Sequence, residues 1–132
     1  MIVLLKRTWV PGTPRGFGDK KTENEWLQAM VSVLGSKGQG LIDGRYEIEL
    51  EFLLDIESPN YRDQNRPHGT DLDNLVKLTI DGLTPLRGRG TGMIKDDKSV
   101  FRIVASKELV DRKDPTVGRE DLTGAWITIR LL

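Results

Sequence analysis

The stretch from Tyr46 to Glu57 constrains the fold more than any other part of the chain. Apolar residues alternate along it with residues that are mostly acidic. Because successive side chains of a β-strand point to opposite faces of a sheet, this period of two predicts a strand with one apolar and one charged face. An apolar strand face has to be covered, so other elements must pack on it. The apolar positions are Tyr46, Ile48, Leu50, Phe52, Leu54 and Ile56, and the acids are Glu47, Glu49, Glu51, Asp55 and Glu57.

Two segments with a helical period can provide that cover. In the first, Thr22 and Glu25 form a capping-box pattern, which predicts an N-cap at Thr22. Gly35 is expected to end this helix, because glycine is common just after a helix. The second helix runs from the region of Thr70 to Leu83 and carries a wider stripe of core-facing residues. The core-facing positions are Trp26, Met30 and Val33 in the first helix, and Leu72, Leu75, Val76, Thr79 and Leu83, flanked by Leu78 and Ile80, in the second.

Three more segments have strand patterns: Ile2–Val10, Lys98–Ser106 and Ala125–Leu131. The resulting order β-α-β-α-β-β predicts a small α+β fold, in which two helices pack on one face of a mixed β-sheet. The length suits a single domain over residues 1–132. The acidic strand face would then be open, or covered by a partner. The glycine-rich connection after the second helix, residues 84–93, is expected to be flexible.

Composition and charge limit the function. The chain has no cysteine, which excludes disulfides and thiolate metal sites. Its N-terminal apolar run ends at Lys6, too early for a signal peptide or a membrane span, so we expect an intracellular protein without membrane contact. The formal net charge is zero, without the basic excess common in DNA-binding proteins. Bases are nevertheless concentrated in segments 6–21 and 85–102, so a polyanionic partner is not excluded.

The second helix opens with a group of aspartates that allows two interpretations. Asp73, Lys77 and Asp81 follow one another at i, i+4 spacing on its polar side. In the structural interpretation, acids in the first turn complement the helix dipole, and an acid four residues before a lysine adds ~0.2–0.5 kcal/mol. In the functional one, Asp71 lies at or before the N-cap in extended geometry. Its carboxylate can then turn toward Asp73 and share a hard cation such as Mg²⁺.

A second acidic pair, Asp96 and Asp97, can complete such a cation site. The helix is about 20 Å long at 1.5 Å per residue. The connection from Pro85 to Lys95 spans about 33 Å when extended. It is therefore long enough to return the acidic pair to the start of the helix.

The segments TDLDNLVKLTIDGLT and IKDDKSVFRIVASK resemble the RusA family of Holliday-junction endonucleases. That family has a D-L-D-N-L-x-K-x-x-x-D-x-L helix, then a D-D pair that leads into a strand ending near a lysine. The resemblance covers residues 70–107, and the connection inside it is longer and richer in glycine than the family pattern. The matching positions are Asp71, Leu72, Asp73, Asn74, Leu75, Lys77, Asp81, Leu83, Asp96, Asp97, Val100 and Lys107.

The resemblance implies a RusA-like fold and a Mg²⁺-dependent DNA endonuclease, with Mn²⁺ able to substitute. It implies that Asp71, Asp73 and Asp97 bind the metal and act in catalysis, together with Lys77. It further implies a homodimer that resolves four-way junctions by paired symmetric cuts in DNA recombination and repair, and a phage or prophage origin.

Further residues receive roles within this interpretation. Asp96 is expected at the entry of the following strand, and Asp81 is expected to pair with Lys77. Leu53 or Trp126 is expected to contact the second copy. Two other functions stay open, namely a nuclease for other branched DNA and a non-catalytic DNA-binding or phage assembly module. The expected contacts to the DNA backbone are Arg15, Lys20, Lys21, Arg62 and Arg66.

Overall fold

The computed structural model describes residues 2–12, 14, 20–35, 43–55, 71–110 and 123–132. Two short 3₁₀ turns separate the second helix from the third strand. The elements are β1 (Ile2–Pro11), α1 (Lys20–Leu34), β2 (Tyr46–Asp55), α2 (Leu72–Leu83), the 3₁₀ turns Leu86–Gly88 and Asp97–Ser99, β3 (Val100–Val110) and β4 (Gly124–Leu131). Ile56 and Glu57, expected at the end of β2, lie outside the described residues.

The four described strands form one mixed sheet in the order β1-β4-β2-β3. β4 pairs antiparallel with both β1 and β2, whereas β3 runs parallel to β2 at the edge. The parallel pair needs a crossover, and α2 lies within the connection between these two strands. The predicted α+β architecture is therefore confirmed.

The core lies between the apolar face of β2 and the two helices. The five apolar residues on the alternating inward face of β2, from Tyr46 to Leu54, are all completely buried. Trp26 and Met30 of α1 and Leu75 of α2 enter the same cluster, as the helical periodicity predicts. Each fully buried large apolar side chain contributes ~1.5–3 kcal/mol relative to exposure. A hydrogen bond of 3.2 Å from the Trp26 indole N–H to the Thr79 hydroxyl joins the two helices inside this core.

The charged face of β2 is neutralised by arginines on neighbouring strands. Glu47 pairs with Arg102 of β3 at 3.0 Å and with Arg130 of β4 at 3.3 Å. Glu51 pairs with Arg7 of β1 at 2.9 Å. The acidic face, expected to be open or covered by a partner, thus carries a network of ion pairs within the sheet itself.

Two predicted element bounds are wrong. α1 begins at Lys20, so Thr22 lies inside its first turn and is not the N-cap; Glu23 provides the acid of that turn. β3 begins only at Val100, after the 3₁₀ turn, and continues to Val110, where a polar connection was expected to have begun. Its second half pairs with the end of β2 (Asp55 with Val110), and the parallel ladder overrides the polar pattern there.

Candidate active site

Asp71 is the N-cap residue of α2 and has extended backbone geometry, with φ −58° and ψ 140°. Its carbonyl oxygen accepts from the Leu75 N–H at 3.2 Å, which starts the helix. Its exposed carboxylate forms no capping hydrogen bond with any residue that the structure describes. The backbone therefore adopts the geometry required by the cation-site interpretation, and side-chain capping does not account for Asp71.

The second acidic pair lies at the 3₁₀ turn before β3. The Asp96 side chain accepts a hydrogen bond of 2.9 Å from the Lys98 N–H and caps this turn. That hydrogen bond, followed by the interaction with the Asp97 carboxyl, lowers the pKa of Asp96. Asp97 is the first residue of the turn and is exposed. Asp96 therefore serves the entry of β3, as expected.

α2 and β3 enclose a groove of about 710 Å³ in which residues distant in sequence meet. The polar residues of its lining are Asp73, Lys77 and Asp81 from α2, and Asp97 from the turn before β3. The chain after α2 does return toward this helix, as its length allows. The N-cap residue Asp71 adjoins the groove along the chain but is not part of its lining. The apolar lining consists of Leu72, Val76, Ile80, Val100, Ile103 and Ala105.

Asp81 also lines this groove, although the sequence analysis expected it only to pair with Lys77. Partial burial raises the pKa of its carboxyl, the negative charge of Asp97 raises it further, and the charge of Lys77 acts against both. Within the described residues, no ion pair joins Asp81 to Lys77, so the expected pairing is not formed. The sequence feature that places Asp81 in the groove is its position eight residues after Asp73, on the same side of the helix.

The donor chemistry of the groove fits a hard cation, because its candidate ligands are aspartate carboxylates. Among the residues that the structure describes, no three acidic or histidine side chains lie close enough to surround an ion. Mg²⁺ commonly takes only one or two protein carboxylates and completes its shell with water. A site of this smaller kind does not need a closed cage of three carboxylates.

A family model described as endodeoxyribonuclease RusA matches residues 11–118. The chain belongs to the RusA endodeoxyribonuclease family. The match extends the similarity from the two motifs to most of the chain and includes every groove residue of this RusA protein. A search of curated proteins finds no match.

Most of the residues expected to contact the DNA backbone lie outside the described residues. Arg15, Arg62 and Arg66 are outside the described residues, as is the side chain of Lys20. Lys21 is exposed in the first turn of α1. In the described part of this RusA-family chain, no helix has the length and apolar character needed to cross a membrane.

Proposed function

We propose that the protein is a Mg²⁺-dependent endonuclease that resolves four-way DNA junctions inside the cell, acting as a homodimer that makes two symmetric cuts. The observation that carries this proposal is the groove between α2 and β3. In a chain of the RusA family, it collects Asp73, Asp97 and Lys77 from two separate motifs. A phage or prophage origin stays a prediction.

Asp73 and Asp97 would hold Mg²⁺, or Mn²⁺ in its place. Asp71, whose exposed carboxylate lies outside the groove lining, would become the third ligand only after its side chain turns toward Asp73. When bound, the ion supplies positive charge that activates water and offsets the charge developing on the phosphate. Hydrolysis joins a water oxygen to phosphorus and breaks one P–O ester bond. The attacking water loses a proton to solvent, and the departing oxygen gains one.

Lys77 is suited to bind the phosphate. It is exposed one turn after Asp73, and it forms no ion pair with a described residue despite three nearby aspartates. Its ammonium group is therefore free to donate hydrogen bonds to a non-bridging phosphate oxygen.

The homodimer follows from the two-fold symmetry of a four-way junction, which needs two matched sites. Trp126, one expected contact, is engaged within the sheet by Arg7, whose guanidinium lies 4.1 Å from the ring centroid. The edge strand β3 is better suited than Trp126 to form the dimer contact. If two copies pair antiparallel about Ala105, Arg102 of each lies opposite Glu108 of the other. The exposed apolar residues of β3 are Phe101, Ile103, Val104 and Leu109.

The dimer can be tested by sedimentation equilibrium of the wild type and Glu108→Lys. The substitution would place like charges opposite each other and should raise the dimer dissociation constant. Equal dissociation constants would rule out this pairing of β3, and a monomeric wild type would rule out the dimer.

The nuclease activity can be tested by nicking assays on a four-way junction, a fork and linear duplex. Wild type should cut the junction fastest and only with Mg²⁺ or Mn²⁺, and Asp73→Asn should bind the junction without cutting it. Equal rates on the three substrates would instead indicate a less specific nuclease.

A non-catalytic DNA-binding module is the second candidate, and the lack of a three-carboxylate cluster among the described residues favours it. Junction binding without nicking at any divalent cation concentration would establish it over the nuclease.

A further inference from the structure

The connection after α2 is a tightly hydrogen-bonded loop, and not the flexible segment expected from its glycines. The N–H groups of Gly88 and Gly90 both donate to the Pro85 carbonyl at 2.9 Å, and the Thr91 N–H donates to the Gly82 carbonyl at 2.8 Å. A Cβ atom on Gly90 would stand 1.9 Å from the Thr84 carbonyl oxygen, so only glycine fits there. The loop therefore holds one backbone conformation.

This conformation is strained. Leu86 and Arg87 have φ values of 45° and 55°, in the left-handed region that residues with a Cβ rarely adopt, and Gly88 follows at 88°. Strain of this kind persists when the surrounding structure enforces it, and it is concentrated at functional sites. Here it presents two exposed arginines, Arg87 and Arg89, on a fixed backbone.

Arg89 also borders a cavity of about 530 Å³ against α1. The α1 side of this cavity carries Asn24, Gln28 and Ser32, which lie four residues apart on one helix face. Its lining contains one base and no acid. Neither Arg87 nor Arg89 forms an ion pair with any residue in the described ranges. Among the described residues, this surface thus combines arginines that have no ion-pair partner with amide and hydroxyl donors.

We propose that Arg87 and Arg89, with the polar side chains of α1, bind the phosphodiester backbone of a DNA arm whose scissile phosphate lies in the groove between α2 and β3. This inference rests on the proposed function and deepens it. The groove carries three aspartates and one lysine, so it repels DNA unless basic residues elsewhere hold the duplex. Asp73 and the end of α2 are ten residues apart, about 15 Å, or roughly four base pairs at 3.4 Å each.

A fixed loop is an advantage for such a contact. Long basic side chains on a mobile segment lose conformational entropy when they bind, and a preorganised backbone reduces that loss. Arginine also matches phosphate oxygens with two parallel N–H groups, which lysine cannot do.

The test is equilibrium binding of a fluorescent four-way junction without divalent cations, over a range of salt concentrations. Arg87→Gln and Arg89→Gln should each weaken binding severalfold and reduce the slope of log Kd against log salt by ~0.9, the value for one lost phosphate contact. Arg45→Gln is the matched control, because Arg45 is an exposed arginine outside both basic segments and its loss should leave the slope unchanged. Gly90→Ala should weaken binding without removing a charge; its circular dichroism must match that of the wild type.

The inference is overturned if both arginine variants keep the wild-type slope, or if the wild type shows no salt-dependent junction binding. Its failure can be told apart from failure of the nuclease proposal. Wild type that binds through the arginines but never nicks the junction would remove the nuclease and keep this surface. If the wild type nicks the junction and both arginine variants bind it as tightly as the wild type does, the nuclease proposal stands and this surface is ruled out.

Discussion

Replacing Arg87 by glycine should stabilise the protein, although it removes a side chain. Arg87 has φ 55° and ψ 40°, a left-handed conformation that costs a residue with a Cβ about 1–2 kcal/mol. Glycine adopts it without that cost but gives the unfolded chain more entropy, worth about 0.5–1 kcal/mol. The net expectation is a gain of about 0.5–1 kcal/mol in the free energy of unfolding, measured by urea denaturation at neutral pH.

Arg89→Gly is the matched control for this prediction. It removes the same charge from the same loop, but Arg89 has φ −97° and ψ −15°, a right-handed conformation that costs nothing for arginine. Only the entropy of the unfolded chain changes, so this variant should lose about 0.5–1 kcal/mol. If both variants lose stability by the same amount, the strain assigned to Arg87 is wrong. If Arg87→Gly gains stability and also binds the junction more weakly, strain and DNA contact reside in the same residue.

Three further predictions concern the core and the groove. Thr79→Val should lower the free energy of unfolding by about 1–3 kcal/mol, because the Trp26 indole N–H is left unpaired in the core. Thr79→Ser keeps the hydroxyl and should lose clearly less stability in urea denaturation, and equal losses for the two variants would refute the role of this hydrogen bond. Without divalent cations, Asp81→Asn should stabilise the protein at pH 7, since the raised pKa of Asp81 means that its ionisation destabilises the fold. The gain should vanish as the pH falls below the ordinary pKa of an aspartate, and a gain that is constant with pH would contradict this cause. Mg²⁺ at about 100 times its Kd for the wild type should stabilise the wild type by ~2.7 kcal/mol in thermal unfolding. Asp97→Asn should lose this stabilisation at the same Mg²⁺ concentration, and equal stabilisation of both proteins would exclude Asp97 as a ligand.

Sequence patterns were sufficient for the elements whose burial follows a simple period. The alternation around Leu50 identified the covered face of β2, and the helical stripe around Leu75 identified the buried face of α2. Tertiary pairing decided what the patterns could not. Lys107 to Val110 form strand because β2 lies beside them. Asp81 is partly buried in the groove between α2 and β3, where the charge of Asp97 acts on its carboxyl. Neither effect is encoded locally.

The loop after α2 shows a second reason why a prediction from the sequence can be wrong. Its glycines predicted flexibility, but they serve close approaches and a left-handed turn, and two residues with side chains share that left-handed geometry. Nothing in the dipeptide Leu86–Arg87 favours this conformation, because its cause is the set of hydrogen bonds around Pro85 and Gly82. A local pattern cannot reveal strain that is imposed by the fold.

Acidic side chains have ion-pair partners on one side of the sheet but not in the groove on the other side, and this difference supports a cation site in the groove. On the strand face opposite the helices, Glu47, Glu49 and Glu51 all lie within 4.0 Å of an arginine nitrogen. In the groove, neither Asp73 nor Asp97 has an ion pair with a described residue, and the charge of Asp97 raises the pKa of a neighbouring carboxyl. A fold that pairs acids with arginines on one face and leaves them without ion pairs on the other keeps a local repulsion that reduces its stability. Such a repulsion is useful when a divalent cation removes it on binding.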